Sequence, residues 1–301
     1  MTPAPAPVLQ DPASIDGDVT LGISAPPTAD ALAREARLAS WFRDAGSAMV
    51  GFSGGVDSTY LACVAVESLG AERVLAVIGR SPSYPIEQWE RARDVAQRFG
   101  IPVLELETHE MADPRYTANP ANRCYFCKSE LWRQLAPLAL ERGLAVVCDG
   151  TNADDLSDYR PGAQAAREHA VRSPLAELGF AKADIRALSE RRDIPTWSVP
   201  SSPCLSSRLP YGTPVTTERL AQVEHAERAL RELGIRGDLR VRHYGDLARI
   251  ELGREELAHW LVPVRARVLC AAVRSSGYVR VAIDLRGFRS GSLNVLSGLQ
   301  R

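Results

Sequence analysis

The stretch that most constrains the fold is Met49 to Ser58, which reads Met-Val-Gly-Phe-Ser-Gly-Gly-Val-Asp-Ser. An apolar run over residues 48–52 ends in Ser53-Gly54-Gly55, and residues 56–69 carry apolar side chains at helical spacing. A buried strand is therefore predicted to turn directly into a helix. Glycines at such a turn let the backbone approach a ligand closely, and the first N–H groups of the helix lack internal partners. The helix dipole adds a preference for negative charge, so the junction reads as a phosphate site. Ser53 and Ser58 supply hydroxyls, and Asp57 is a carboxylate able to hold the magnesium ion that phosphates also bind. The alternative is a ligand-free turn, which needs six positions to coincide by accident in the right strand-turn-helix context.

A Walker loop requires a Lys-Ser/Thr pair after its last glycine, and none is present. Ser53-Gly54-Gly55-Val56-Asp57-Ser58 resembles instead the SGGxDS signature of the ATP pyrophosphatase superfamily, whose members cleave ATP between its α and β phosphates. Residues 74–78, 101–106 and 145–148 read as further strands, with helices over 86–99 and about 129–142. This alternation predicts a doubly wound parallel α/β sheet. Ligands bind such sheets beyond the carboxyl ends of the strands, where Ser53, Ser81 and Asp149-Gly150-Thr151 would lie. From residue 154 onward loops prevail around one clear helix, 182–192. A helix over 216–233, a hairpin of 239–243 with 248–252, a helix over 263–275 and a strand over 278–283 then form a smaller α+β unit. The expected division is a disordered tail 1–28, a main domain 29–212 and a small domain 213–301, in keeping with 301 residues.

Several classes are disfavoured. The Pro- and Ala-rich start has neither a basic n-region nor an apolar h-region, so it reads as a tail and not as a signal peptide. No apolar run approaches the roughly 20 residues that span a bilayer. A net charge of −1 argues against a dominant nucleic-acid surface. Six cysteines without a secretory signal point to a reducing cytoplasm. Of 36 basic residues only Lys128 and Lys182 are lysines; with arginine as the default cation, an isolated arginine says little.

Arg123-Cys124-Tyr125-Phe126-Cys127-Lys128 contains a Cys-x-x-Cys, a spacing that lets two thiols point at one ion. One pair cannot complete a metal site. With Cys204 there would be three thiolates, enough for a four-iron four-sulfur cluster that leaves one iron open; two unrelated half-buried thiols are the other reading. Cys204 is also a candidate nucleophile, flanked by hydroxyls and by Arg208, which would favour its thiolate. Cys63, Cys148 and Cys270 lie in apolar contexts and read as core.

Taken together, Ser53 to Ser58, Asn122 to Lys128, Asp149 to Asp155, Asp158 to Gly162, Val171 to Leu175, Pro200 to Arg208 and Arg240 to His243 resemble the LarE family, ATP-dependent sulfur transferases that mature the nickel-pincer cofactor of lactate racemase. The resemblance runs from about Arg34 to the last strand. It implies that a carboxylate of pyridinium-3,5-biscarboxylic acid mononucleotide attacks the α-phosphate of ATP·Mg²⁺, and that a sulfur nucleophile then displaces AMP to leave a thiocarboxylate. Two sulfur sources occur in the family. Members with only the equivalent of Cys204 sacrifice that sulfur and form dehydroalanine; others carry three cysteines and are thought to use a [4Fe-4S] cluster, the version that Cys124, Cys127 and Cys204 favour. The resemblance further implies that Arg240 and Arg242, alternating on one strand face, bind the substrate phosphate, and that the protein forms a homo-oligomer through its smaller unit. A solvated hairpin face is the other reading of the two arginines. Glu227 is a candidate to position substrate or metal, or a surface carboxylate, and Asp154 and Asp155 could assist magnesium or cap a helix.

Three rivals remain. A tRNA thiolase shares the loop and the cysteines but needs an RNA surface that the charge does not supply. An amide-forming ligase gives no reason for the three cysteines. A nucleotide-binding regulator would show no carboxylate-dependent exchange between ATP and pyrophosphate.

Overall fold

The computed structural model describes residues 26–157, 161–200 and 202–289. The expected tail up to residue 25, Asp158 to Arg160 and Ser201 lie outside them. In chain order the main domain contains α1 (Ala29–Ala45), β1 (Ala48–Gly51), α2 (Val56–Leu69), β2 (Val74–Arg80), α3 (Ile86–Arg98), β3 (Val103–Glu107), α4 (Pro114–Thr117), α5 (Arg123–Glu141), β4 (Val146–Cys148), α6 (Pro161–Glu168), α7 (Pro174–Glu177) and α8 (Lys182–Arg191). The smaller domain contains α9 (Thr217–Glu232), β5 (Leu239–Tyr244), β6 (Leu247–Leu252), α10 (Arg254–Trp260), α11 (Pro263–Arg274) and β7 (Arg280–Ile283).

The first four strands pair in parallel in the order β3-β2-β1-β4. Side chains of a strand alternate between faces, and the two faces here feed different cores. Ala48, Val50, Val74, Ala76 and Ile78 pack with α1, α2, α3 and α8. Met49, Val77 and Leu75 pack with Trp132, Leu135 and Ala139 of α5 and with Ala165 and Ala166 of α6. The result is a three-layer α/β/α domain, as the alternation predicted. The chain leaves β1 toward β2 on one side and returns to β4 on the other, so the loops after β1 and β4 diverge at a topological switch point. They stay close there: a Cβ on Gly150 would come within 2.8 Å of the backbone nitrogen of Ser58.

The smaller domain has a three-stranded mixed sheet, β5 antiparallel to β6 and β6 parallel to β7. Its core gathers Leu230, Leu239, Val241, Ile250, Trp260, Leu269 and Val273. The predicted hairpin turns at Gly245, whose φ of +66° suits glycine. A separate cluster of Tyr116, Leu205, Leu209, Val215, Leu220 and Val223, with Phe126 and Cys127 against it, joins α9 to the main domain. No described helix is long and apolar enough to cross a membrane.

Two departures from the sequence reading matter for the site. Helix α5 begins at Arg123, not near Ser129, so the Cys-x-x-Cys lies in its first turns. The region after residue 154, expected as loops around one helix, also holds the short α6 and α7, 3₁₀ turns at Ala153–Ser157 and Pro195–Ser198, and another at Leu205–Arg208 directly after Cys204.

Candidate functional site

The nucleotide loop is built by the abrupt exit from β1. Ser58 Oγ closes the turn on itself, accepting from Ser53 N (3.2 Å), lying 3.2 Å from Ser53 Oγ and donating to Gly55 O (3.3 Å). Gly54 adopts φ +64° and leaves no room for a side chain, since a Cβ would meet that of Ala92 at 2.5 Å. Tyr84, just before α3, and Gln88 within it donate to Ser53 O at 2.9 and 2.7 Å, bracing the loop. Gly55 caps α2 without a side-chain bond, which leaves the first N–H groups of the helix without a side-chain partner, as an anion site needs. Asp57, in the first turn, takes hydrogen bonds from Lys182 Nζ and Asn152 Nδ2. Lys182 was not singled out for this site, although its rarity as a lysine was a visible signal. Asp154 holds the backbone nitrogen of Lys182 (2.7 Å) and Asp155 that of Asn152 (3.1 Å), so both act here on the frame around Asp57.

Ser81, at the end of β2, lies 2.9 Å from Ser83 Oγ, which donates to the buried Glu110 at 3.1 Å. The other carboxylate oxygen of Glu110 is buried without a hydrogen-bond partner. Leu205 N donates to Ser83 O at 2.8 Å, and Tyr116 OH lies 2.7 Å from Ser206 Oγ. The segment after β2 thus carries the Cys204 loop. Cys204 lies near enough to act electrostatically on both Cys124 and Cys127. Burial pushes the thiols of Cys124 and Cys127 above their ordinary value; Cys204 adds to the rise at both, and the Glu110 carboxylate adds more at Cys127. Cys124 keeps contact with solvent although protein crowds its other sides. Arg123 is buried and interacts electrostatically with Cys204 and Cys124. Burial pulls its pKa down, but Cys204, Cys124, Tyr116 and Tyr211 more than offset this and raise it. Among the described residues no three His, Cys, Asp or Glu side chains close on a single ion.

Arg208 is turned away from the role expected of it. Its guanidinium grips Glu227 with two bonds, Nε to Oε1 (2.9 Å) and Nη2 to Oε2 (2.8 Å). Its Nη1 donates to the carbonyls of Pro203 (2.6 Å) and Cys204 (3.2 Å). It therefore shapes the backbone of the Cys204 loop. Burial opposes the charge of Glu227, but Arg208 prevails and holds its carboxyl below the usual range. Glu227 also accepts from Val241 N at 2.9 Å, anchoring β5. Arg240 and Arg242 are both buried, not on a solvated face. Arg242 donates to Glu251 (2.9 Å) and to Ser207 O (2.8 Å). Arg240 packs its guanidinium 5.1 Å from the Phe288 ring centroid, and burial with neighbouring Arg208 lowers its pKa to about 10.

A parallel sheet with an anion-binding strand-to-helix loop at its switch point defines an ATP pyrophosphatase type of nucleotide-binding protein. The family model for NAD synthase matches residues 40–120, the part that contains this loop. Likeness to the NH(3)-dependent NAD(+) synthetase of Methanopyrus kandleri is confined to the same kind of span, 42% identity over 74 residues, or 24% of this chain and 25% of that protein. Two relatives match much further. An uncharacterized protein of Synechocystis is 47% identical over 85% of this chain and 95% of its own length. The pyridinium-3,5-bisthiocarboxylic acid mononucleotide synthase of Lactiplantibacillus plantarum is 36% identical over 87% of this chain and 94% of its own. The chain belongs to the LarE family, that of the pyridinium-3,5-bisthiocarboxylic acid mononucleotide synthase.

Proposed function

We propose that this protein is an ATP-dependent sulfur transferase that adenylates a carboxylate of pyridinium-3,5-biscarboxylic acid mononucleotide and converts it to the thiocarboxylate used in nickel-pincer cofactor synthesis. The observation that supports this most is the bond from Leu205 N to Ser83 O (2.8 Å). It ties the Cys204 loop to the rim on which Ser53 to Ser58 offers its phosphate site, so activation and sulfur delivery share one cleft. A carboxylate is a poor acyl donor until its oxygen joins a good leaving group, and a phosphate site beside a thiol cleft meets both needs.

In this reading Gly54, Gly55, Ser53 and Ser58 hold the pyrophosphate as it departs, aided by the N-terminus of α2. Asp57, framed by Asn152, would hold Mg²⁺, and Lys182 lies within reach of the same phosphates once Asp57 releases it. Arg240 and Arg242 take the mononucleotide phosphate, for which guanidinium geometry is suited. Arg208 and Glu227 keep the Cys204 loop in register with them. The carboxylate oxygen attacks the α-phosphorus, pyrophosphate leaves, and a sulfur nucleophile then attacks the acyl carbon as AMP departs. What supports a cluster is that Cys204 acts electrostatically on both Cys124 and Cys127 while, among the described residues, the three thiols do not close on one ion; a cluster is ligated at separate corners. Bound to Cys124, Cys127 and Cys204, a [4Fe-4S] cluster would supply transferable sulfide at its unligated iron. Self-association through the smaller domain belongs to the same proposal, supported by the exposed Val262, Val264, Val268 and Val279, and light scattering reads it.

The test is anaerobic purification with iron, sulfide and absorption analysis, beside ATP-pyrophosphate exchange with the dicarboxylate mononucleotide. Exchange dependent on that substrate, with about four irons per chain lost in Cys124→Ala, is the expected result. A colourless protein that loses one sulfur and two hydrogens on turnover would shift the sulfur source to Cys204 itself. No carboxylate-dependent exchange would overturn the proposal.

A further inference from the structure

The chain that leads into Cys204 is gripped by a second guanidinium besides that of Arg208. Arg186, on α8, donates through Nη1 to Trp197 O and through Nη2 to Val199 O, the latter at 3.0 Å. Among the described residues no other donor reaches either carbonyl, and Val199 stands five residues before Cys204. The start of the same segment is folded onto the same helix, since Ile194 N donates to Ser189 O at 2.9 Å and Thr196, in the turn that follows, is fully buried. Two charge-assisted bonds from one planar group fix the direction of the chain as well as its place. Arg186 thus sets the upstream limb of the Cys204 loop, while Arg208, through Pro203 O and Cys204 O, sets the downstream one.

The two grips answer to different parts of the molecule. Arg208 is tied to Glu227 of the smaller domain. Arg186 follows Lys182 by four residues on α8, so the two share one face of the helix, about 6 Å apart along its axis. Lys182 Nζ donates to Asp57 of the nucleotide loop, and its backbone nitrogen donates to Asp154 at 2.7 Å. The side chains of Lys182 and Asp57 are 33% and 21% exposed, so a ligand arriving from solvent reaches the pair. Phosphates at Ser53 to Ser58 compete with Asp57 for the Lys182 ammonium, and one rigid helical turn carries that exchange of partners to Arg186. We propose that Arg186 is a positioning residue through which nucleotide bound at Ser53 to Ser58 sets the conformation of the Cys204 loop, aligning it for sulfur delivery once ATP is in place. This rests on the nucleotide site of the proposed function and not on its sulfur chemistry. It is measured without the mononucleotide substrate, so it can fail while ATP-pyrophosphate exchange succeeds, and the reverse.

The experiment is hydrogen-deuterium exchange, read by mass spectrometry over residues 202–208, in the anaerobically purified full chain with and without ATP·Mg²⁺, with ATP binding followed by calorimetry. In wild type the nucleotide is expected to change the exchange rate of this segment by about fivefold or more. Arg186→Gln should still bind ATP and lose that response, and Arg186→Lys, which offers a point charge in place of the planar fork, should keep part of it. A lower thermal midpoint in Arg186→Gln with the response to ATP intact makes Arg186 a structural residue only and overturns the proposal. Wild type that binds ATP without any change over residues 202–208 overturns it as well, and wild type that binds no ATP overturns it together with the nucleotide site. If Arg186→Gln fails to fold, wild type and Arg186→Lys decide: a response that shrinks in Arg186→Lys carries the proposal, and one retained in full overturns it.

Discussion

Gly54 carries two constraints at once. Its φ of +64° is a region that side chains resist, and a Cβ would stand 2.5 Å from Ala92 Cβ and 2.8 Å from Ala92 Cα. Alanine there must strain the turn and push the loop off α3. Gly54→Ala is expected to cost about 2 kcal/mol or more in a urea titration and to abolish ATP binding by calorimetry. Gly55 makes the contrast: its Cβ would reach only Ser53 Oγ at 3.4 Å, with no positive φ, so Gly55→Ala should fold with near wild-type stability. A second residue-scale effect belongs to Glu227. Arg208 and Glu227 side chains are 2% and 16% exposed, and removing one partner strands the other charge. Glu227→Gln is expected to destabilise by about 3 kcal/mol in the same titration. A loss below about 0.5 kcal/mol would mean that the pair is not a structural tie.

At the scale of elements, β5 contains a proton-sensitive side chain beside its arginines. His243 is buried, with Nδ1 3.1 Å from Tyr278 OH, and burial, reinforced by Arg219, lowers its pKa from 6.5. The unfolded chain therefore binds the proton more tightly, so the strand's contribution is complete above about pH 6.5 and is lost as pH falls through the lower folded value. The thermal midpoint should fall less between pH 7 and pH 5 in His243→Gln than in wild type; parallel curves would dismiss the effect. Elements with strong local signals were legible in the sequence: the strand-glycine-helix junction, the four parallel strands and the Gly245 hairpin all announce themselves within a few residues. The start of α5 was not, because Asn122 makes no side-chain cap and the apolar spacing begins only near Leu131. Arg123, Glu110 and the Lys182 contact to Asp57 were missed for a different reason. Their significance lies in partners 81, 17 and 125 residues away, counted to Cys204, Cys127 and Asp57, which no local pattern reports. Arg208 shows the converse error: proximity in sequence suggested service to the Cys204 thiol, while Glu227 on α9 claims its guanidinium.

Across the whole molecule, the smaller domain is wired to the Cys204 loop through backbone atoms at and around Cys204. Arg208 links Pro203 O and Cys204 O to Glu227, and Glu227 holds Val241 N. Arg242 reaches back to Ser207 O, and Glu224 of α9 accepts from Ile86 N at 2.7 Å. A phosphate drawn to Arg240 and Arg242 competes for the same donors that pin the loop, because each guanidinium has a limited set of N–H groups. Binding at the smaller domain should therefore alter the exposure of Cys204 without any nucleotide present. The expected outcome is a severalfold change in the alkylation rate of Cys204 by iodoacetamide when the mononucleotide substrate is added, read by peptide mass spectrometry. Arg242→Met should remove that response, while Cys270, on α11 and away from these bonds, serves as the internal reference. A rate at Cys204 that ignores the substrate in wild type would separate the two domains functionally and leave Arg242 as a purely structural partner of Glu251.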